Sequence, residues 1–93
     1  MPATIHVDRS TPGRFRVTVI EGGSQSEHTV SLKTGYYEKL TRKQLPEEAL
    51  IEQSFRFLLE REPKESILRE FDLSVISRYF PDYESEIRKR LAA

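Results

Sequence analysis

The sequence predicts a small soluble α+β domain, with a three-stranded antiparallel sheet at the N-terminus covered by one long helix and two or three short helices. Strict alternation of apolar and polar residues in the first third of the chain is typical of half-buried strands. Apolar residues then recur at helical spacing, and prolines divide that pattern into helix-sized pieces. We expect one domain over residues 1–93, with a β-meander over 1–33 and a helical layer over 34–93.

Three alternating runs predict the strands, and the pairs Pro12-Gly13 and Gly22-Gly23 fall where the meander needs its turns. Because a small sheet with a bare apolar face is marginal in water, the helices must cover that face. Thr34 is a candidate N-cap for a short first helix. The pattern then predicts the main helix from about Pro46 to Glu62, where apolar side chains fill an arc of roughly 200°.

An arc of that width is too broad for a single contact. The main helix therefore lies between the sheet and later helices, or presents its second side to another subunit. After Pro63 a short helical turn is expected to carry Ile67, Leu68 and Phe71. The expected core consists of apolar residues from all these elements: Ile5, Val7, Phe15, Val17, Val19, Val30, Leu32, Leu40, Leu50, Ile51, Phe55, Leu58, Leu59, Ile67, Leu68, Phe71, Val75, Ile76 and Phe80.

Composition excludes several classes of protein. Fifteen basic and fifteen acidic side chains cancel, so the charge of the whole chain predicts no polyanionic partner. The chain lacks cysteine, which excludes disulfides, thiol catalysis and cysteine metal sites. No apolar run has the length of a signal peptide or a membrane span, so a cytoplasmic location without membrane attachment is expected.

The residues predict no catalytic constellation, no metal site and no cofactor. His6 and His28 fall on opposite faces of the expected sheet, and we expect structural or surface roles for both. Ser54 lies inside the apolar arc of the main helix, where a serine usually makes room for close packing or bonds back to a carbonyl of the preceding turn. An enzyme acting through either histidine with neighbouring carboxylates remains a third hypothesis.

The outward face of the sheet is the predicted binding surface, because cationic and hydrogen-bonding side chains share one strand phase. These residues are Arg14, Arg16, Thr18, Thr29, Ser31 and Lys33. The strand and two helices over roughly residues 28–60 resemble the ribbon-helix-helix family of DNA-binding proteins and antitoxins. That resemblance implies that Thr29, Ser31 and Lys33 occupy the base-reading strand. It also implies that Leu40, Ile51 and Phe55 form a dimer core.

A second resemblance rests on the segments SFRFLLEREPKESIL and FDLSVISRYFPDYE. They resemble a family of small uncharacterised bacterial proteins in which a β-rich beginning precedes a helical end. The resemblance implies a bacterial cytoplasmic origin and carries no activity. The leading expectation is a non-enzymatic protein-interaction module with a protein partner or a homodimer, without a small-molecule ligand. A ribbon-helix-helix-like DNA-binding regulator is the alternative.

Overall fold

The computed structural model describes residues 3–92, without the side chain of Ala92; residues 1, 2 and 93 of the predicted domain lie outside the described residues. The α+β class is confirmed. Within the described residues the sheet has four strands, which lie side by side in chain order, and four α-helices follow or flank them. The strands are β1 (Thr4–Thr11), β2 (Arg14–Glu21), β3 (Ser24–Ser31) and β4 (Glu70–Asp72).

The predicted meander is present as two antiparallel pairs, β1 with β2 and β2 with β3. Gly13 and Gly22 adopt φ values of 79° and 60° in the two connecting turns, a left-handed conformation that favours glycine. Val17 lies opposite Val7 on one side and opposite His28 on the other. The inward row of the sheet therefore follows the alternation that the sequence predicted.

The sheet differs from the prediction in its fourth strand, which pairs parallel with β3 and makes the sheet mixed. The sequence predicted a helical turn where Phe71 in fact lies within β4, opposite Val30. Strand β3 would otherwise leave a row of backbone N–H and C=O groups unpaired along that edge. The long crossover through two helices supplies the connection that a parallel neighbour needs.

The helices are α1 (Thr34–Thr41), α2 (Glu47–Leu59), α3 (Ile76–Tyr79) and α4 (Tyr83–Ala92), with 3₁₀ turns at Lys64–Ser66 and Leu73–Val75. The main helix α2 is shorter than the predicted range from Pro46 to Glu62. Pro46 occupies the extended N-cap position, and Pro63 disfavours a helical conformation of Glu62. Lys33, rather than Thr34, occupies the N-cap position of α1.

The core lies between the sheet and α2, and most of its predicted members are buried. Leu68 is the clear error, since it is 48% exposed. Other predicted members are only partly buried against the core: Val7, Leu59, Val75 and Phe80. Among the described residues, four buried hydrophobic residues were missing from the prediction: Phe57, Leu73, Tyr83 and Ile87.

Helix α4 covers the second side of α2, which explains the wide apolar arc of that helix. The Tyr83 ring packs edge-on against Phe57 with the ring centroids 5.3 Å apart. The Tyr83 hydroxyl lies 2.7 Å from Ser54 Oγ, and Ser54 donates to the Leu50 carbonyl at 2.8 Å, as predicted. Of the two destinations predicted for the second side of α2, the structure uses later helices of the same chain.

Candidate functional site

An apolar groove opens on the surface where the end of α2 meets the segments on either side of β4. Its volume is about 340 Å³. Its lining is aliphatic and aromatic apart from the Glu62 carboxylate and the hydroxyls of Ser66 and Tyr79. The lining residues are Leu58, Glu62, Ser66, Ile67, Leu68, Phe71, Val75, Ile76, Tyr79 and Phe80. This volume falls within the range of about 300 to 1,000 Å³ that is common for ligand pockets.

Two large apolar side chains at the groove are unusually accessible to water. Leu68 is 48% exposed and Tyr79 is 66% exposed. Both line the groove, so the exposed apolar surface continues from its rim into its interior. Apolar surface gathered in one place marks an interaction site far more often than isolated exposed side chains do.

Glu62 gives this apolar groove one distinctive charged group. Partial burial raises the pKa of its carboxyl group above the usual value. Within residues 3–92, no Lys, Arg or His forms an ion pair with Glu62. A partly buried carboxylate without a cationic neighbour would be stabilised by a cation or hydrogen-bond donor that arrives with a ligand.

The wall that carries Leu68 is attached to the sheet through His28. The His28 Nδ1 atom lies 2.8 Å from the Leu68 carbonyl oxygen, and its Nε2 atom lies 2.8 Å from Ser26 Oγ. The backbone N–H of Thr29 donates to the Arg69 carbonyl at 2.7 Å. These bonds hold the exposed Leu68 side chain on a fixed backbone, so the groove is preformed.

The 3₁₀ turn that precedes this wall is also fixed by a buried contact. Lys64 is only 4% exposed, and its Nζ atom donates to Ser24 Oγ at 2.7 Å. Its ammonium group also pairs with the adjacent Glu65 carboxylate. A buried lysine needs such partners, and here they join the turn to the hairpin between β2 and β3.

His28 has both ring nitrogens occupied and is only 2% exposed, in the inward phase that the sequence predicted. Burial lowers the pKa of its imidazole, the hydrogen bond to the Leu68 carbonyl partly opposes this, and the nearby positive charge of Arg69 lowers it further. The neutral ring with a proton on Nδ1 satisfies both contacts. The geometry therefore gives His28 a structural role in joining β3 to the groove wall.

We expect stability to fall as the pH is lowered from about 7.5 to about 5, with His28 responsible for the first part of the loss. In the unfolded chain this imidazole titrates near 6.5, whereas its pKa in the folded chain is lower. Between these two values the unfolded chain binds more protons, so the free energy of unfolding decreases as pH falls. Urea unfolding across this range should show a weaker pH dependence in His28→Gln than in a matched His6→Gln control. An equal pH dependence in both variants would contradict this assignment.

The structure adds two carboxylates to the predicted binding surface on the outward face of the sheet. Arg14 Nη2 lies 2.6 Å from Glu70 Oε2, and Ser31 donates to Asp72 Oδ2 at 2.9 Å. Arg16 lies opposite Thr29 across β2 and β3, and Thr18 lies opposite Glu27. Lys33 follows β3 at the start of α1. The six residues thus lie on or beside one sheet face, but its positive charge is partly neutralised.

Over Thr29–Ser31, strand β3 has hydrogen-bonded neighbours on both sides, β2 and β4. The ribbon-helix-helix arrangement would require this strand to pair with a second chain. At the start of α2, Glu47 and Glu48 lie 2.8 Å and 3.7 Å from Arg9. The residues expected in that dimer core are buried within one chain: Leu40, Ile51 and Phe55.

His6 is exposed on β1, on the face of the sheet opposite to the buried His28. Within residues 3–92, no group of three or more His, Asp or Glu side chains is placed to hold a metal ion. None of the described helices combines the length and the apolar character needed to cross a membrane.

Comparison of the chain with protein-family models, with curated proteins and with solved structures finds no match.

Proposed function

We propose that this chain is a non-enzymatic protein-interaction module that accepts an apolar segment of a partner protein in the groove beside β4. The observation that carries the proposal is the joint exposure of Leu68 and Tyr79 at the rim of a preformed apolar groove. Burying these two side chains against a partner would remove apolar surface from water, which is the main driving force for association. The bacterial cytoplasmic setting expected from the sequence belongs to the same proposal.

The groove defines the chemistry of its occupant. Aliphatic and aromatic walls favour a partner segment with apolar side chains. The Glu62 carboxylate, which has no ion pair within residues 3–92, favours a Lys or Arg near those side chains. An apolar segment with one basic residue therefore fits both the shape and the charge of the groove.

We favour this function over the DNA-binding alternative for two reasons. The outward sheet face places Glu70 and Asp72 beside the predicted cationic residues, and carboxylates repel a phosphate backbone. Over Thr29–Ser31, both edges of β3 are already paired within the chain, which gives the ribbon-helix-helix dimer no support. Absence of binding to duplex DNA even at low salt would be consistent with this preference, and salt-sensitive binding through Arg14 and Arg16 would oppose it.

Selection of peptides from a random display library tests the proposal and requires no candidate partner. We expect the enriched peptides to combine apolar residues with a basic residue. Leu68→Asp should weaken their binding by about tenfold or more, because it places a charge at the centre of an apolar contact. Glu62→Gln should produce a smaller loss, confined to peptides with the basic residue.

Arg16→Gln, on the exposed sheet face, is the matched control and should leave peptide affinity unchanged. Circular dichroism of each variant checks that the fold is intact. Failure to enrich any peptide, or affinity that is lost in Arg16→Gln but kept in Leu68→Asp, would contradict the proposed function.

A further inference from the structure

We infer that the partner segment binds as an extended strand, which adds to the open edge of β4 and places alternate side chains in the groove. This inference rests on the proposed function and specifies the conformation and the sequence pattern of its occupant. The observation that carries it is the set of unpaired backbone groups on the strand beside the groove. Segments that add to a sheet edge obtain affinity from main-chain hydrogen bonds and specificity from pockets for alternate side chains.

Strand β4 lies at the edge of the sheet, next to β3. The Arg69 carbonyl accepts from the Thr29 N–H at 2.7 Å, so the backbone at Arg69 faces β3. Backbone direction alternates along a strand, so Phe71 also faces β3, whereas Glu70 and the N–H of Asp72 face the opposite side. Apart from the ladder with β3, no backbone hydrogen bond in residues 3–92 uses the N–H or C=O of Glu70 or the N–H of Asp72. These three groups form the open edge.

The apolar groove lies beside this open edge. It is lined by Phe71 within β4 and by Ile67 and Leu68 just before the strand. A strand added to β4 shares its alternation of side chains, so every second side chain of the occupant would lie on the same face as Phe71 and enter the groove. Strand β1 forms the other edge of the sheet, but it contributes no residue to the groove.

An extended occupant suits this edge better than a helical one. A helix uses its backbone groups for its own hydrogen bonds. A helix that covered the open edge would therefore exclude water from the backbone of Glu70 without replacing the lost hydrogen bonds, which is costly for any backbone group. An added strand supplies both the donors and the acceptors that this edge lacks.

The two carboxylates of β4 do not block the approach of such a strand. Short length and charge usually protect an edge strand from pairing with another chain. Here the Glu70 carboxylate pairs with Arg14 on the outward face of the sheet, and Asp72 accepts from Ser31 and Ser74. Neither carboxylate lines the groove. The side of the edge that receives the apolar side chains is therefore free of both charges.

Peptides selected against the chain provide the first test. Their apolar residues should lie two positions apart, as the alternation of a strand requires. Methylation of one backbone nitrogen at a time should weaken binding by about tenfold at alternate positions, where the N–H faces β4, and should have little effect at the positions between them. Apolar residues spaced three and four apart, or methylation effects without a period of two, would overturn the inference.

A change in the edge strand itself provides the second test. Glu70→Pro removes an N–H from the open edge without removing a bond to β3, and should weaken peptide binding by about tenfold. Glu70→Gln is the matched control, because it keeps the N–H and should leave the affinity nearly unchanged. Circular dichroism of both variants checks the fold. Equal affinity of the two folded variants for the selected peptides would contradict strand addition.

Amide hydrogen exchange of the unmodified chain gives a readout that does not depend on the folding of a variant. Bound peptide should slow exchange at Glu70 and Asp72 by about tenfold or more, because their N–H groups become hydrogen-bonded. Exchange at Phe71, whose N–H already faces β3, should change less. Unchanged exchange at both Glu70 and Asp72 in the peptide complex would overturn the inference.

Strand addition and the proposed function fail in different ways. Peptides whose binding is lost in Leu68→Asp, but which show no period of two and protect neither Glu70 nor Asp72, would overturn strand addition and leave the proposed function standing. Failure to select any peptide would overturn both.

Discussion

Replacing Phe55 with Ala should lower the free energy of unfolding by about 3 to 5 kcal/mol. The Phe55 side chain is fully buried, and its ring centroid lies 5.3 Å from that of His28 and 6.0 Å from that of Phe71. It therefore joins α2 to β3 and β4 at once. Removing the ring leaves a cavity that elements held by hydrogen bonds on both sides cannot close.

Leu59→Ala is the matched control for this substitution. Leu59 lies in the same helix and was also predicted as core, but it is only partly buried. Its replacement should cost clearly less, because less apolar surface returns to water on unfolding. Urea unfolding of both variants provides the comparison. A Phe55→Ala variant as stable as the parent would show that the core is not where this structure places it.

Replacing His28 with Ala should lower the free energy of unfolding by about 2 to 4 kcal/mol near neutral pH. The substitution removes the ring that contacts Phe55 and deprives the Leu68 carbonyl and Ser26 of their hydrogen-bond partner. Both hydrogen bonds are partly buried, so water replaces them only in part when the ring is removed.

The effect of His28→Ala should also be local. Amide hydrogen exchange should accelerate most in residues 67–72, because His28 attaches this segment to β3. Exchange in the hairpin of β1 and β2 should increase only through the general loss of stability. Uniform acceleration along the whole chain would contradict the role of His28 as the attachment point of the groove wall.

The meander and the main helix could be predicted from the sequence because their patterns are long. The alternation through Phe15, Val17 and Val19 extends over whole strands. A shift of one residue would have moved every inward side chain to the outer face of the sheet. The inward position of His28 followed from the same phase. Prolines located the ends of α2 to within a few residues.

The fourth strand could not be predicted because its stability comes from elsewhere in the chain. Glu70–Asp72 contains one apolar residue, which is too few to distinguish a strand from a helical turn. Its pairing depends on β3, about 40 residues earlier. Leu68 was assigned to the core for the same reason: it lies in the irregular segment before β4, where helical spacing does not predict burial.

Because β4 was not predicted, the charge of the predicted binding surface was not predicted either. Arg14 and Ser31 are on the outward face of the sheet, but their partners Glu70 and Asp72 come from a segment that was predicted as helical. The charge of that face therefore could not be judged from the first 33 residues. The groove could not be predicted either, because Leu68 and Tyr79 at its rim recur at the helical spacing that is typical of core residues.

The most direct test of partner binding at the groove is a titration of the chain with a selected peptide, followed by amide chemical shifts. We predict concentration-dependent shifts concentrated in residues 62–80, with the largest changes near Leu68 and Tyr79. Leu68→Asp should abolish them. Shifts that do not depend on peptide concentration, or that are confined to the outward sheet face around Arg14 and Arg16, would contradict binding at this site.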